Sequence, residues 1–173
     1  MPFTPYHFGP ALAAKAISPH RFGFLAFVAG NVVIDLEPLY YMVTHQYPLH
    51  RSLHTLVGAL LVGILTGASF LFARAVMRRM NLTRLVDDPE FQPRAIWAGA
   101  LSGTVSHVLL DSLVHSDVRL FALTGGVPFS NTNPLVGWVS SAEVQIFCLF
   151  SAAAALVVLA GRWIYHHWLP AGR

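Results

Sequence analysis

Charge is scarce in this chain. Asp, Glu, Lys and Arg together make up 11% of its 173 residues, where a soluble domain carries roughly a quarter. So few charges cannot clothe a water-facing surface, and an ordinary soluble globule is excluded. Cysteine is nearly absent too. Cys148 is the only one, so no intrachain disulfide can form. Basic runs interleaved with aromatics are missing, so the net charge of +3 does not mark a nucleic-acid partner. A continuous apolar core is missing from residues 1–20, which instead carry Pro2, Pro5, Pro10 and Pro19. No signal peptide is expected there, and the later helices must direct insertion. Internal repeats and low-complexity tracts are also lacking.

What the chain has in quantity is apolar side chains, 55% of the total, with a mean hydropathy of +0.57. Residues 56–73 and 144–161 contain no charged residue. Each is long enough to be a spanning helix, which needs roughly 20 residues for a bilayer core of about 30 Å. Residues 22–43 and 95–114 are also apolar, but carry Asp35 and Glu37, and His107 and Asp111. The pattern predicts one domain over 1–173, an all-α integral membrane bundle of about four transmembrane helices. The spans fall near 22–43, 56–76, 95–115 and 143–164, after a short N-terminal helix over 8–17. A polar connector occupies 81–93, and a long loop rich in Gly, Pro and Asn occupies 117–140.

Small residues recur at helical spacing, as Gly63 and Gly67 with Ala59, and as Gly99 and Gly103. Such faces let helices approach closely in lipid, either within the chain or across a homodimer. Arg74, Arg78, Arg79, Arg84 and Arg94 cluster around the middle connector. The positive-inside rule then puts that connector and both termini in the cytoplasm, and the other loops outside.

Nine histidines against eight acidic residues is an unusual ratio. His50 and His54 are one turn apart before the second span. His107, Asp111 and His115 share a helix face in the third. Counting from Arg21 and Arg94 at 1.5 Å per residue, Asp35 and His107 both lie about 20 Å up their helices. His7 reaches a similar level if the short helix runs inward and turns at residues 18–21. Asn31 and Asp35 are also a turn apart. Imidazoles and carboxylates converging this way suit zinc or a similar divalent metal. Two rival readings stand beside it: pairing of Asp35 and Asp111 with histidines for packing, and a proton or ion path. An ionisable side chain inside a span is costly and by default functional.

His7, Asp35, His50, His54, His107 and Asp111 are the candidate metal ligands, with Glu37 and His115 as candidate catalytic groups. Glu37 lies two residues from Asp35, off its face, as a base behind the ligands or a solvated carboxylate, and Pro38 marks an expected break. His115 is a ligand or a liner of the loop. His20, His45, His166 and His167 read as interfacial, the last two beside Trp163, Tyr165 and Trp168.

The same residues resemble a known family, the small inner-membrane proteins called membrane-bound metal-dependent hydrolases of the YdjM type. The opening Met1, Pro2, Phe3, Thr4 and His7 resembles one branch of it. Gly30 to Glu37 is similar to its Gly-x-x-x-Pro-Asp-x-(Asp/Glu) segment, without the proline before Asp35. His50-Arg51-Ser52-Leu53-His54-Thr55 is similar to its His-Arg-x-x-Thr-His-Ser segment, with the last His and Thr exchanged. Ser106, His107 and Asp111 match its Ser-His-x-x-x-Asp, and Pro128-Phe129 its downstream Pro-Phe. The resemblance runs to about Gly137. That family is in turn similar to zinc phospholipase C and the P1-type nucleases, all-helical enzymes that hydrolyse phosphodiesters at a trinuclear zinc site. The resemblance implies His7, Asp35, His54, His107 and Asp111 as ligands, zinc as the metal, and a bacterial inner-membrane location. It also implies hydrolysis of a lipid or lipid-linked phosphoester. The competing function is a non-catalytic ion-binding or transport protein.

Overall fold

A computed structural model of the chain describes residues 4–121 and 133–168. Met1, Pro2, Phe3, Pro128, Phe129 and Arg173, and the side chains of His166 and Trp168, lie outside the described part. A 3-10 turn over Thr4–His7 leads into α1 (Phe8–Ile17), α2 (Phe24–Val43) and α3 (Leu56–Arg79). Two short turns follow, α4 (Thr83–Val86) and Pro89–Phe91, and then α5 (Pro93–Val114) and α6 (Ser141–Trp168). No strand occurs among the described residues.

Three helices are long and apolar enough to cross a membrane: α2, α3, and α6 over Ser141–Tyr165. The fourth expected span, α5, forms over 22 residues but is not one of the three. The reason is its place. It is the central helix, packed against α2 on one side and α3 on the other. Buried there, it can carry Thr104, His107, Asp111 and Ser112 without offering them to lipid. The outer helices do the opposite. Leu61, Leu65 and Phe72 of α3 and Phe150 and Val157 of α6 are all more than half exposed, a surface suited to acyl chains rather than water.

The small-residue faces are used inside the chain. A Cβ at Gly63 would meet Thr104 and Leu101, and one at Gly67 would meet Trp97, so this face of α3 seats α5. Across α5, a Cβ at Gly99 would sit 1.9 Å from the Gly23 carbonyl oxygen, and one at Gly103 2.7 Å from that of Phe27. The intramolecular alternative accounts for both glycine pairs. The short helix α1 lies along α6, with Gly9 against the Cys148 backbone.

Pro38 corrects one expectation. It does not break α2, which runs on to Val43. Proline removes one N–H and crowds one turn, but in lipid any longer departure from helix would strand more backbone groups. Helices α3 and α5 also start where local chemistry dictates. The Thr55 side chain accepts from the Gly58 amide at 2.9 Å, an N-cap worth about 1 kcal/mol. Pro93 opens α5 at its first turn, where a missing N–H costs nothing.

The two ends of the bundle are chemically distinct. At one end the Lys15 ammonium meets Glu90 and donates to the Phe22 carbonyl, while Glu90 accepts from the Leu25 amide. This ties α1, the connector and the start of α2 together. At the other end the chain after α5 folds back over the bundle. Val118 and Leu120 join the core of Ile34, Ala59, Val62 and Val108, and the Leu56 amide donates to the Leu120 carbonyl. The histidines lie at this second end.

Candidate metal centre

Each arm of the site is positioned by a local device. On α2, Asn31 and Asp35 stand one turn apart. On α5, His107 and Asp111 do the same, both almost wholly buried. Between α2 and α3 the chain makes a tight pass that carries His50 and His54. Gly58 permits it, because a Cβ there would lie 2.1 Å from the Ser52 carbonyl oxygen. Glu37 holds the same pass in place. Its carboxylate accepts from the amides of Arg51 at 3.0 Å, Leu53 at 2.9 Å and His54 at 3.3 Å. It is therefore neither solvated nor a free base, and it also takes the His54 Nδ1 at 3.0 Å.

Two groups of side chains bring ligand atoms within 4.8 Å of one another. One is Asp35, His54, His107 and Asp111; the other is His50, Asp111 and His115. Asp111 belongs to both. Its Oδ2 lies 3.2 Å from His107 Nε2, 3.6 Å from His54 Nε2 and 3.8 Å from His50 Nε2. Asp35 Oδ1 lies 3.0 Å from His107 Nε2 and 4.0 Å from His54 Nε2. The His115 ring stacks on His50 with centroids 4.6 Å apart, so it stands with the ligands rather than merely along the loop.

The partners of the outer ring nitrogens decide what the inner ones present. Glu37 accepts from His54 Nδ1, and Asp117 from His50 Nδ1 at 2.9 Å. An ionised carboxylate only accepts, so both Nδ1 atoms carry the proton. Asn31 uses its amide nitrogen on the Phe27 carbonyl, which turns its oxygen to His107 Nδ1 at 2.9 Å. His107 must therefore donate there too. In their neutral form all three imidazoles direct Nε2 lone pairs at the Asp35 and Asp111 carboxylates. Lone pair facing carboxylate is repulsive unless a cation lies between them, either a metal ion or a proton on the ring, as on His107 Nε2, 3.0 Å from Asp35 and 3.2 Å from Asp111. Consistently, Nε2 of His7, His54 and His107 are buried atoms that make no hydrogen bond among the described residues. This donor set fits a divalent metal, and carboxylate-backed histidines are the usual support for one.

Burial outside the helices favours the ligand form of imidazole. It pushes His54 below its usual value despite the Glu37 hydrogen bond, and it pushes His7 down to about 4, with His107 adding to the effect. Burial raises the Asp117 carboxyl, but the His50 ring and the His50 and Leu49 amides outweigh it and hold the group well below the carboxylate range.

Of the residues expected from sequence, Asp35, His50, His54, His107, Asp111 and His115 are brought together. His7 is buried beside them, with Nδ1 3.0 Å from His107 Nδ1 and Nε2 3.6 Å from Asp111 Oδ1, but belongs to neither ligand group. Glu37 stands behind His54 as a positioning group. The sequence reading missed Asp117. Its acid lies two residues past His115, a signal within sight, but its partners Leu49 and His50 are 68 and 67 residues away. His167 lies far from the cluster and stacks on Trp163. Comparison of the chain with family models, curated proteins and solved structures gives no match.

Proposed function

We propose that this chain is a membrane-embedded, metal-dependent hydrolase acting on a phosphoester of a lipid or lipid-linked substrate. The observation that carries the reading is Asp111, one buried carboxylate shared by two ligand groups. A shared carboxylate suits a pair of adjacent divalent ions, for which zinc is the best match to imidazole and carboxylate donors. Such ions supply Lewis acidity to a phosphoryl oxygen and acidify water. The residues do the rest. Asp35, His54, His107 and Asp111 would hold one ion, and His50, Asp111 and His115 the other. Glu37, Asp117 and Asn31 fix the ring orientations, and His7 closes the space behind His107.

A lipid substrate is favoured by where the cluster is open. Asp35 is its most exposed carboxylate, 26% by side chain. It is flanked on α2 by Val32, Leu36 and Leu39, all about half exposed. The carboxylate therefore meets the surface along an apolar strip, where a phosphate head could approach while its chains stay in lipid. The YdjM-type resemblance points to the same chemistry, and the arginine asymmetry puts the histidine end outside the cytoplasm.

The test is metal analysis of the purified full chain, followed by turnover of phosphodiester-bearing lipids. Bound metal with turnover that Asp111→Asn abolishes supports the hydrolase. Bound metal without turnover on any such lipid supports the non-catalytic ion-binding reading. Absence of bound metal after loading with zinc refutes both.

A further inference from the structure

Two cavities lie at the end opposite the candidate metal centre. One of about 880 Å³ is lined by residues that include His20, Arg21, Gln92 and Arg94. A second of about 290 Å³ is lined by residues that include Ile17, His20, Arg21 and Arg162. The two share His20 and Arg21 at the α1–α2 turn. Three guanidinium-bearing residues line them from three separate segments: Arg21 of the α1–α2 turn lines both, Arg94 at the start of α5 the larger, and Arg162 in the last turns of α6 the smaller.

Among the described residues, no acidic side chain lines either cavity. Glu90, on the neighbouring connector, is occupied by Lys15 and the Leu25 amide. Among the described residues, Arg21, Arg94 and Arg162 make no ion pair, although seven of the eight Asp and Glu residues of the chain do form one or accept a hydrogen bond from a neighbour. Arg162 donates to the Ala16 carbonyl, which anchors its guanidinium beside the cavity. A concave surface lined by guanidiniums without ion-pair partners recognises a planar or tetrahedral oxyanion, phosphate above all.

Depth and surroundings say which kind of phosphate. α2 begins at Phe24, and the apolar stretch of α6 ends at Tyr165, so the arginines sit at the level where spans meet water. Trp163 and Tyr165 are exposed there, 57% and 63%, as interfacial aromatics are. Ile17, 76% exposed, lines the smaller cavity and offers apolar surface to an acyl chain. We infer that this basic cavity is a binding site for the phosphate of an anionic lipid headgroup, separate from the metal centre. Basic pockets between spanning helices at the cytoplasmic face recognise lipid head groups in this way.

The experiment is native mass spectrometry of the full chain in non-ionic detergent with phosphatidylglycerol, phosphatidylcholine or inorganic phosphate. The wild type is expected to retain phosphatidylglycerol in preference to phosphatidylcholine. Each arginine near the surface contributes about fivefold in affinity, so Arg21→Gln with Arg94→Gln should weaken retention roughly 30-fold. Arg84→Gln, outside the cavity, should leave it unchanged. Inorganic phosphate that binds through Arg21 and Arg94 while the lipid does not would keep the oxyanion site and identify free phosphate as its ligand. The inference is overturned by equal retention of the two lipids with no phosphate binding. It is also overturned if the double variant, still folded by circular dichroism, binds as wild type, or if Arg84→Gln loses as much as the pair.

Discussion

The two ligand groups share Asp111 but are braced by different carboxylates, and this makes them separable. Glu37 orients His54 through Nδ1, in the group that also holds Asp35 and His107. Asp117 orients His50, in the group that holds His115. Neither brace belongs to a ligand group, so removing its charge should loosen one ion and spare the other. Losing such support typically weakens metal affinity 10- to 100-fold, or about 1.4–2.7 kcal/mol. Glu37→Gln and Asp117→Asn are the changes to make, because they keep shape and remove charge. Competition against a graded chelator, with cobalt(II) as the probe ion so that each site has its own absorption band, reads the ions separately. Glu37→Gln should shift the band of the four-ligand group, and Asp117→Asn that of the group with stacked His50 and His115. Glu37 also accepts three backbone amides. Its variant should therefore lose thermal stability even without metal, and more than Asp117→Asn, which gives up two. The reasoning fails if both variants shift the same band equally, or if neither changes affinity.

Other outcomes follow from the same geometry. His107→Ala and Asp111→Ala should each lose bound metal while the chain still inserts; unchanged metal content in both would remove this pair from the site. If the pair serves packing alone, either single change should destabilise strongly and the double change to apolar residues should restore stability, which a melting series would reveal. Gly99→Ala places a methyl 1.9 Å from the Gly23 carbonyl. It should destabilise by about 1–3 kcal/mol, whereas Gly161→Ala, with open space around it, should melt as wild type. A cysteine at Thr83, with Cys148 replaced, should be labelled only from the cytoplasmic side; labelling only from outside would reverse the orientation and turn the metal centre inward.

Much of this protein is legible along the chain. Scarce charge and long apolar runs are properties of segments, so the all-helical class and the membrane-length helices can be read without knowing which helix touches which. Spacing of four is equally local, which is why Asn31 with Asp35, and His107 with Asp111, could be placed on shared faces; His50 and His54 lie instead in the non-helical pass before α3, so helical spacing does not account for their meeting. Counting rise per residue puts those faces at one level, and His7 joins them when α1 runs the other way. What tertiary structure alone decided is which face meets which, and what stands behind it. That α5 is the central helix follows from small residues on both its sides and is invisible in its hydropathy, which its buried polar groups depress. Glu37 stays open between a base behind the ligands and a solvated carboxylate in the sequence, because its partners, the amides of a folded-back pass, exist only after α2 and α3 pack. Asp117 read as the start of a loop because its partner is 67 residues away. The shared position of Asp111 is likewise a product of packing. Sequence spacing can align ligands on one helix, but a carboxylate between two groups requires three segments to meet, and only burial of their apolar faces brings them there.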